Sequence, residues 1–361
     1  LGQFEKAQEC LVKAHELDGS DPEIAKDIGN IFNASQNYQE ATKYYNLSLK
    51  INSNYAPAIN NLGLIAKQQG NLQVAKQLVE RARDLDPTFV PFHLNLSSIY
   101  QELGQLDQAL AATLKSLELK PDNPDAHMNL GTIYQELGQL DQALASTLKS
   151  LELKPDHPTA HMNLGGIYKE LGQLDQALAS TLKSLELKPD HPTAQMNLGG
   201  IYQDLGQLDQ ALAATLKSLE LKPDNPTAQM NLGGIYVAMG EIEESAESVQ
   251  RSLAINPYLP GALYMSSMTL DDVNTAHSLL EKIQDVDQTA LPLRDKIKIE
   301  FAKLNCFHKE KKYKNASDAM QKANELKLLY MPSNAAELIK RIQAISNTLT
   351  DNETPTSGQR C

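Results

Sequence analysis

The chain has 361 residues, of which 41% are hydrophobic and 22% are charged, and its formal net charge is −12. This acidity argues against nucleic acid or an anionic membrane as the main partner, because phosphate contacts need clustered Lys and Arg. No apolar run approaches the length of a membrane span. The three cysteines, Cys10, Cys306 and Cys361, are too few and too scattered for a disulfide framework, so we expect a cytoplasmic protein.

The first element, residues 1–18, reads LGQFEKAQECLVKAHELD. This stretch aligns with the middle of the repeat that follows it and not with the start of that repeat. We therefore expect half a repeat unit, a second helix whose partner is missing. The polar C-terminus, DNETPTSGQRC, adds to the expectation that the chain is a fragment of a longer protein.

The central part of the chain is repetitive. The stretch LGQLDQALASTLKSLELKPD begins at Leu137 and recurs letter for letter at Leu171, and near copies begin at Leu103 and Leu205. The four starts are 34 residues apart. A fixed period of about 20 to 50 residues is typical of a solenoid, in which each unit buries its apolar face against its neighbours. Because repetition places like groups at regular intervals, the pattern argues against an active site.

One repeat, residues 124–157, contains two amphipathic stretches with helical spacing. Gly138 lies between them, where the first helix should end in a left-handed residue, and Pro155 ends the second. Asn123 precedes the first proline, which predicts a capped helix start. Gly131 lies inside the first helix, where Gly costs roughly 1 kcal/mol relative to Ala, so we expect close helix packing there.

These letters resemble the tetratricopeptide repeat (TPR). The resemblance extends over seven full units, residues 22–259. It implies an all-α fold, a TPR solenoid that forms a right-handed superhelix of antiparallel helix hairpins. The sequence departs from the family where Trp is expected early in the first helix and an aromatic residue midway along the second. The matching letters are Leu130, Gly131, Tyr134, Gly138, Ala143 and Pro155, and the departures include His127, His161, Thr147 and Thr181.

The repeat pattern decays after residue 259. We predict a degenerate helix pair over 260–290, a TPR-like C-terminal helix pair over 291–330, and a short helix with an irregular tail over 331–361. The stretch FAKLNCFHKEKKYKNASDAMQKANELK, followed by MPSN, is similar to the region before the catalytic domain of bacterial, particularly cyanobacterial, TPR–sulfotransferase proteins. The tail lacks the Gly-rich phosphate loop that this family would place next.

In the TPR family, the inner face of the first helices lines a concave groove. One position on that face is Asn in six successive units. A side-chain amide both donates and accepts, so a column of amides can pair with a peptide backbone of any sequence. The column resembles the asparagine ladder of the TPR groove in O-GlcNAc transferases, although unit duplication alone would also copy it. Its members are Asn61, Asn95, Asn129, Asn163, Asn197 and Asn231.

Two further columns accompany the asparagines. The residue before each central Asn is a methionine, which suits an adaptable groove and equally suits packing between repeats. Acidic residues follow two positions after the recurrent Tyr. They would favour basic or extended polar peptides, with a solvated helix face as the alternative. These columns comprise Met128, Met162 and Met196, and Glu136, Glu170 and Asp204.

Several site types are not expected. TPR grooves that hold the carboxyl ends of chaperones use Lys and Arg at inner positions, where this chain has Met, Asn and Glu. His157 and His161 are four residues apart, but a helix start separates them, and zinc needs three or four convergent ligands. We therefore expect neither a metal nor a cofactor, and the chain shows no nucleophile–base constellation that would make catalytic residues.

The sequence thus predicts a non-catalytic chain that binds a protein or an extended peptide, and not nucleic acid or a membrane. Two hypotheses remain open. The chain is either a free-standing scaffold or the substrate-recruiting TPR region of a larger transferase whose catalytic domain lies outside it. For that transferase, a sulfotransferase comes first and an O-GlcNAc-type glycosyltransferase second.

Overall fold

The computed structural model describes residues 19–270, 272–289 and 291–330, so the predicted half unit over 1–18 and the tail over 331–361 lie outside the described residues. The described residues form eighteen α-helices and no strand. None of these helices combines the length and the apolar character that crossing a bilayer requires. The all-α architecture predicted from the repeat is confirmed.

The chain divides into two compact bodies, an N-terminal body of residues 1–189 and a C-terminal body of residues 190–361. The N-terminal body contains α1 (Pro22–Ala34), α2 (Tyr38–Ile51), α3 (Ala56–Gln68), α4 (Leu72–Leu85), α5 (Val90–Glu102), α6 (Leu106–Leu119), α7 (Pro124–Glu136), α8 (Leu140–Leu153), α9 (Pro158–Glu170) and α10 (Leu174–Leu187). The C-terminal body contains α11 (Pro192–Asp204), α12 (Leu208–Leu221), α13 (Pro226–Met239), α14 (Ile242–Ile255), α15 (Pro260–Met268), α16 (Val273–Gln284), α17 (Leu293–Lys309) and α18 (Tyr313–Tyr330).

Short turns and strong helix starts explain the pairing of the helices into hairpins. The Asn123 side chain caps α7 by accepting from the backbone N–H groups of Asp125 and Ala126, at 3.1 and 3.3 Å. Gly138 follows α7 with φ +74°, a left-handed conformation that allows the chain to reverse into α8. The two helices of each hairpin then pack closely, and each hairpin of a body also contacts the next hairpin of that body.

Small residues set the separation within a hairpin. Ile133 and Ala143 are fully buried between α7 and α8, and so is the Thr147 side chain. A Cβ on Gly131 would meet the Thr147 hydroxyl oxygen, so the helix backbone approaches the opposite helix too closely for any residue but Gly. The interior glycine that the sequence marks as unfavourable for a helix is therefore required by packing.

The last hairpins of the C-terminal body depart from the regular repeat. Helix α15 has only nine residues, and α17 packs against both α15 and α16. Buried Glu300 of α17 pairs with Lys303 at 2.8 Å and with Lys322 of α18 at 3.3 Å, which joins the final pair. Burial raises the pKa of the Cys306 thiol to about 12, so this cysteine is a core residue and not a reactive one.

Candidate functional site

In the N-terminal body, the first helices α3, α5, α7 and α9 lie next to one another in chain order. Each presents one asparagine of the predicted column, and each of these asparagines is half-buried. We call the surface that carries Asn61, Asn95, Asn129 and Asn163 the first-helix face. Because one Asn recurs in each of these repeats, the stacking of the first helices places these amides in a row.

Two of these amides bridge neighbouring first helices in the same way. Asn61 Nδ2 donates to Asn30 Oδ1 at 2.8 Å, and Asn163 Nδ2 donates to Thr132 Oγ1 at 2.8 Å. Each acceptor stands 31 residues before its donor. One N–H of each amide therefore contributes to holding successive repeats together, and the other N–H points away from that bond.

The other two amides of the row differ, because the residue 31 positions earlier differs. Asn95 donates instead to Asn60 Oδ1 at 2.8 Å. Ser98 would be the partner of Asn129, but its hydroxyl oxygen already accepts from Lys67 Nζ at 2.6 Å. Asn129 makes no hydrogen bond to any described residue, so both of its N–H groups and its carbonyl oxygen remain available.

In the C-terminal body the column continues with Asn197 and Asn231, both half-buried. Residue 200, which stands 31 positions before Asn231, is Gly and has no side chain that could accept. Among the described residues neither Asn197 nor Asn231 has a hydrogen-bond partner. These two amides thus keep their donors and acceptor oxygens unused.

Acidic residues at the ends of the first helices also bridge repeats. Lys67 Nζ lies 2.9 Å from Glu102 Oε1, and Gln135 Nε2 donates to Glu170 Oε1 at 3.0 Å. In both pairs the carboxylate stands 35 residues after its partner, one residue more than the repeat period. Sequence analysis did not single out Lys67 or Gln135, and this spacing between polar residues is the signal that finds them.

Glu136 belongs to the same row and accepts a hydrogen bond from Gln101. Although Glu136 is exposed, the surrounding protein withdraws enough water from the carboxylate to raise its pKa, and the bond from Gln101 offsets that shift in part. The charge of a carboxylate responds to all of the nearby protein and not only to the atoms that touch it, so a group at the surface can still lose part of its hydration. Asp204, the last predicted acidic position, is exposed at the end of α11.

The predicted methionines lie near the junctions between repeats. Met128 and Met162 are half-buried, as is Met196. Asn225, which caps α13, also approaches the Met196 sulfur with its Nδ2 at 3.9 Å. Met196 therefore contacts the following hairpin, which supports the packing interpretation of this column more than direct contact with a ligand.

The histidines satisfy backbone and carboxylate groups. His127 Nε2 lies 2.9 Å from the carbonyl oxygen of Pro121, and buried His157 lies 3.0 Å from Asp125 Oδ1. Within the described ranges, no group of three or more His, Cys, Asp or Glu side chains converges as a metal site would require. His127, at the position where the family has Trp, therefore forms a hydrogen bond with the loop that joins two repeats.

The repeats of this chain match family models of known proteins. Family models described as TPR repeat match residues 98–138 and 199–240. Models described as tetratricopeptide repeat match residues 27–55, 66–115, 124–157, 158–191 and 226–258. Together these matches cover more than half of the chain. Among proteins with curated descriptions, none matches this sequence significantly.

The similar solved structures include the following two. The first, the APC/C hetero-tetramer Cut9–Hcn1, aligns with a TM-score of 0.61 and 19% identity, over 72% of this chain and 51% of that one. This chain thus spans about half the length of that relative. A tetratricopeptide repeat protein from Parabacteroides merdae aligns with a TM-score of 0.55 and 18% identity, over 72% of this chain and 98% of that one. At these identities the likeness concerns the fold alone.

Proposed function

Since this chain belongs to the tetratricopeptide repeat proteins, we propose that it is a protein-binding scaffold whose first-helix face holds an extended peptide segment of a partner. TPR repeats typically mediate protein–protein interactions, and their fold is a non-catalytic scaffold type. The first-helix face is the part of the described chain where half-buried polar groups recur at one position of successive helices.

The observation that carries this proposal is that amides of the Asn row have hydrogen-bond donors and acceptors that no described residue uses. Asn163 uses one N–H for Thr132 and retains its second N–H and its carbonyl oxygen. Asn129 retains all of its groups. Half-buried amides with unused donors and acceptors can bind peptide backbone, which offers one donor and one acceptor per residue. Such recognition does not depend on the side chains of the peptide.

The charge of the first-helix face favours a bound peptide that is polar or basic. Glu102, Glu136 and Glu170 end the first helices beside the Asn row, and the chain as a whole carries a net charge of −12. Lys67 neutralises Glu102, whereas Glu136 is bridged by the neutral side chain of Gln101. The remaining negative charge would attract Lys or Arg side chains on the partner and increase the rate of association.

Substituting two asparagines separately tests the proposal against a purely structural role. Peptides selected from a random-sequence library on the wild-type chain serve as the probe. We expect Asn129→Ala to weaken peptides that bind the first-helix face by about tenfold, because two net hydrogen bonds of about 0.5–1.5 kcal/mol are lost. Thermal stability should stay unchanged in this variant, since Asn129 has no partner among the described residues.

Asn163→Ala should weaken the same peptides by a similar factor and also lower the stability of its repeat by about 0.5–1.5 kcal/mol, because the bond to Thr132 is lost. Gln142→Ala, an exposed change on the second helix α8, is the matched control and should alter neither quantity. If stability falls in Asn163→Ala while neither variant loses affinity for any selected peptide, the amides only brace repeats and the proposal fails.

A further inference from the structure

A cavity of about 540 Å³ lies in the C-terminal body, between the α13–α14 hairpin and the α15–α16 hairpin. Its lining is mainly apolar. The side chains that matter most here are Val237, Ile242, Val249, Met265, Met268 and Leu270. The Asn row of the N-terminal body contributes none of its residues to this lining, so the cavity is separate from the site proposed above.

The cavity exists because α15 is an incomplete first helix. In a regular repeat, Leu and Ile at the seventh and tenth positions, counted from the first residue of the first helix, fill the space over the preceding second helix. Leu96 and Ile99 do so in the N-terminal body, where they form one buried cluster with Ala75 and Val79.

At the equivalent positions α15 has Ser266 and exposed Thr269, and the helix ends after nine residues, at Met268. Leu232 and Ile235 of the preceding first helix, in contrast, are buried in the regular way. The surface of α14 that a Leu and an Ile would cover, including Val249, therefore faces a void. Natural interiors seldom contain an apolar void of this size, since each lost contact lowers stability.

The mouth of the cavity is apolar as well. Val237 is 44% exposed, Ile242 54% and Met268 59%, so three large side chains reach solvent around one opening. Isolated exposed apolar residues are ordinary on a protein surface, but a contiguous set around a concave site is typical of a binding site. The cavity and its rim together offer an apolar partner group both a volume to fill and a border to contact.

The rim carries negative charge. Glu241, Glu243 and Glu244 lie at the start of α14, and Glu243 lines the cavity itself. None of the three forms an ion pair with a described residue. Acidic residues suit the first turn of a helix, but their charge also reaches the cavity mouth. Helices α13 and α15 contain no charged residue that could compensate them.

The arginine of α14 is already paired with an acidic residue of the same helix. Arg251 of α14 pairs with Glu247 at 2.6 Å, one turn away along its own helix. The pKa of Asp272, which caps α16, is lowered mainly by the hydrogen bonds that its carboxylate accepts from Thr275, with a minor contribution from the charge of Lys309. The three glutamates at the start of α14 therefore determine the charge that an incoming group would meet.

We propose that this cavity receives a large apolar side chain of a partner peptide whose neighbouring residues are Lys or Arg. The apolar group fills the space that Leu and Ile occupy in the regular repeats, and the basic residues pair with the glutamates of the rim. Such an anchored side chain is the usual form of a binding hot spot. This docking point is additional to the first-helix face and does not depend on it.

Selection of phage-displayed random peptides on the full chain tests the proposal. Among the enriched sequences we expect a family that combines a large aliphatic or aromatic residue with Lys or Arg. The double variant Ser266→Leu/Thr269→Ile restores the residues of a regular repeat and fills the cavity. It should lower the affinity of this peptide family about tenfold or more, while its melting temperature stays equal or rises.

Ile242→Glu provides a second variant that does not rely on repacking, because Ile242 is more than half exposed and its replacement should leave the fold intact. It should weaken the same peptides to a similar degree. Leu216→Glu, at a position that is 45% exposed on α12 outside the cavity, is the matched control and should bind normally. Asn129→Ala should also bind these peptides normally, so failure here and failure of the first-helix face can be told apart.

Three results would overturn the proposal. Enrichment of acidic peptides, or of none that respond to Ile242→Glu, would exclude a basic apolar partner. Unchanged affinity in both cavity variants would place the peptides elsewhere. Sedimentation that shows a wild-type dimer, dissociated by Ile242→Glu, would assign the cavity to a second copy of this chain.

Discussion

Gly165 illustrates how a single residue sets the distance between two helices. A Cβ at this position would meet the Thr181 hydroxyl oxygen and would lie 3.1 Å from the carbonyl oxygen of Ala177. Thr181 is held in place, since its hydroxyl donates to the same carbonyl oxygen at 2.8 Å. The neighbour therefore cannot move aside without losing a buried hydrogen bond, and the helix propensity that Ala would add is outweighed.

We predict that Gly165→Ala destabilises the α9–α10 hairpin by about 1–3 kcal/mol, the usual effect of overpacking. Adding Thr181→Ala removes the hydroxyl and should recover part of that loss, so the two changes should be strongly non-additive. Hydrogen exchange of the amides in α9 and α10 measures the local free energy of opening. Additive effects would show that Gly165 and Thr181 are not in the tight contact described here.

Gly234→Ala is the matched control. Gly234 also lies inside a first helix, but a Cβ there would only reach ordinary contact with Gln203 Nε2 at 3.5 Å. Without a clash, the change should stabilise α13 by up to about 1 kcal/mol, because Ala is a better helix former than Gly. Gly at one position of the repeat is thus required, whereas Gly at the next position is not.

The sequence alone could identify these glycines but not the bonds of the asparagines. Gly131 and Ala143 follow from the spacing of small residues in two facing helices, a local rule that each repeat restates. The partner of an Asn is instead determined by the residue 31 positions earlier, which is Asn30 for Asn61 and Thr132 for Asn163. Those positions vary between repeats, so the relation becomes visible only when the hairpins are stacked.

At the scale of the helix, the first helices of the repeats differ in how they begin. Asn225 caps α13 by accepting from the N–H groups of Thr227 and Ala228, at 3.1 and 3.2 Å. His157 and His191 occupy the same position before α9 and α11, and neither provides a side-chain cap. Proline at the first helical position is common to all three and fixes the backbone at the start.

We predict that Asn225→Ala destabilises the start of α13 by about 0.5–2 kcal/mol, because two backbone N–H groups lose their acceptor. Amide hydrogen exchange at Thr227 and Ala228 should accelerate, which measures the effect where it arises. Gln207→Ala is the control, since Gln207 stands at the N-cap of α12 without a side-chain cap bond, and it should leave exchange nearly unchanged. Equal effects of the two substitutions would contradict the capping role.

The sequence pattern predicted most of the helices, but it could not predict the packing where a repeat is incomplete. Over residues 22–259 the prolines, turn glycines and apolar periods indicate seven hairpins, and helices α1–α14 form seven hairpins there. The pattern of residues 260–290 shows that the repeat decays, but it does not show how that decay changes the packing of the helices. That Ser266 and Thr269 leave a cavity could not be predicted, because it depends on what the preceding second helix exposes.

Among the described helices of each body, contacts are confined to neighbours. Within each body a helix packs against its hairpin partner, against the adjacent helix of the next hairpin and, for several first helices, against the next first helix. Such a chain has no single central core, and its stability is close to a sum over repeats and their junctions. The similarity of the C-terminal segment to TPR–sulfotransferase proteins stays a prediction.

This additivity predicts the result of removing one repeat. Deletion of residues 124–157 joins Asn123 to Pro158, which preserves both the cap and the proline of a regular helix start. The shortened chain should remain folded, with helix content reduced in proportion to its length and a slightly lower melting temperature. Circular dichroism before and during thermal unfolding measures both. Loss of helix throughout the chain would show that stability is not modular.

Deletion of residues 124–140 is the informative counterpart, because it removes half as many residues but breaks the register. It deletes α7, and with it Gly131 and Ile133, which pack against α8 in the intact hairpin. The exposed face of α8 should then open locally, and the melting temperature should fall further than after deletion of the complete repeat. If the half-repeat deletion were the milder of the two, chain length and not the hairpin would be the unit of stability.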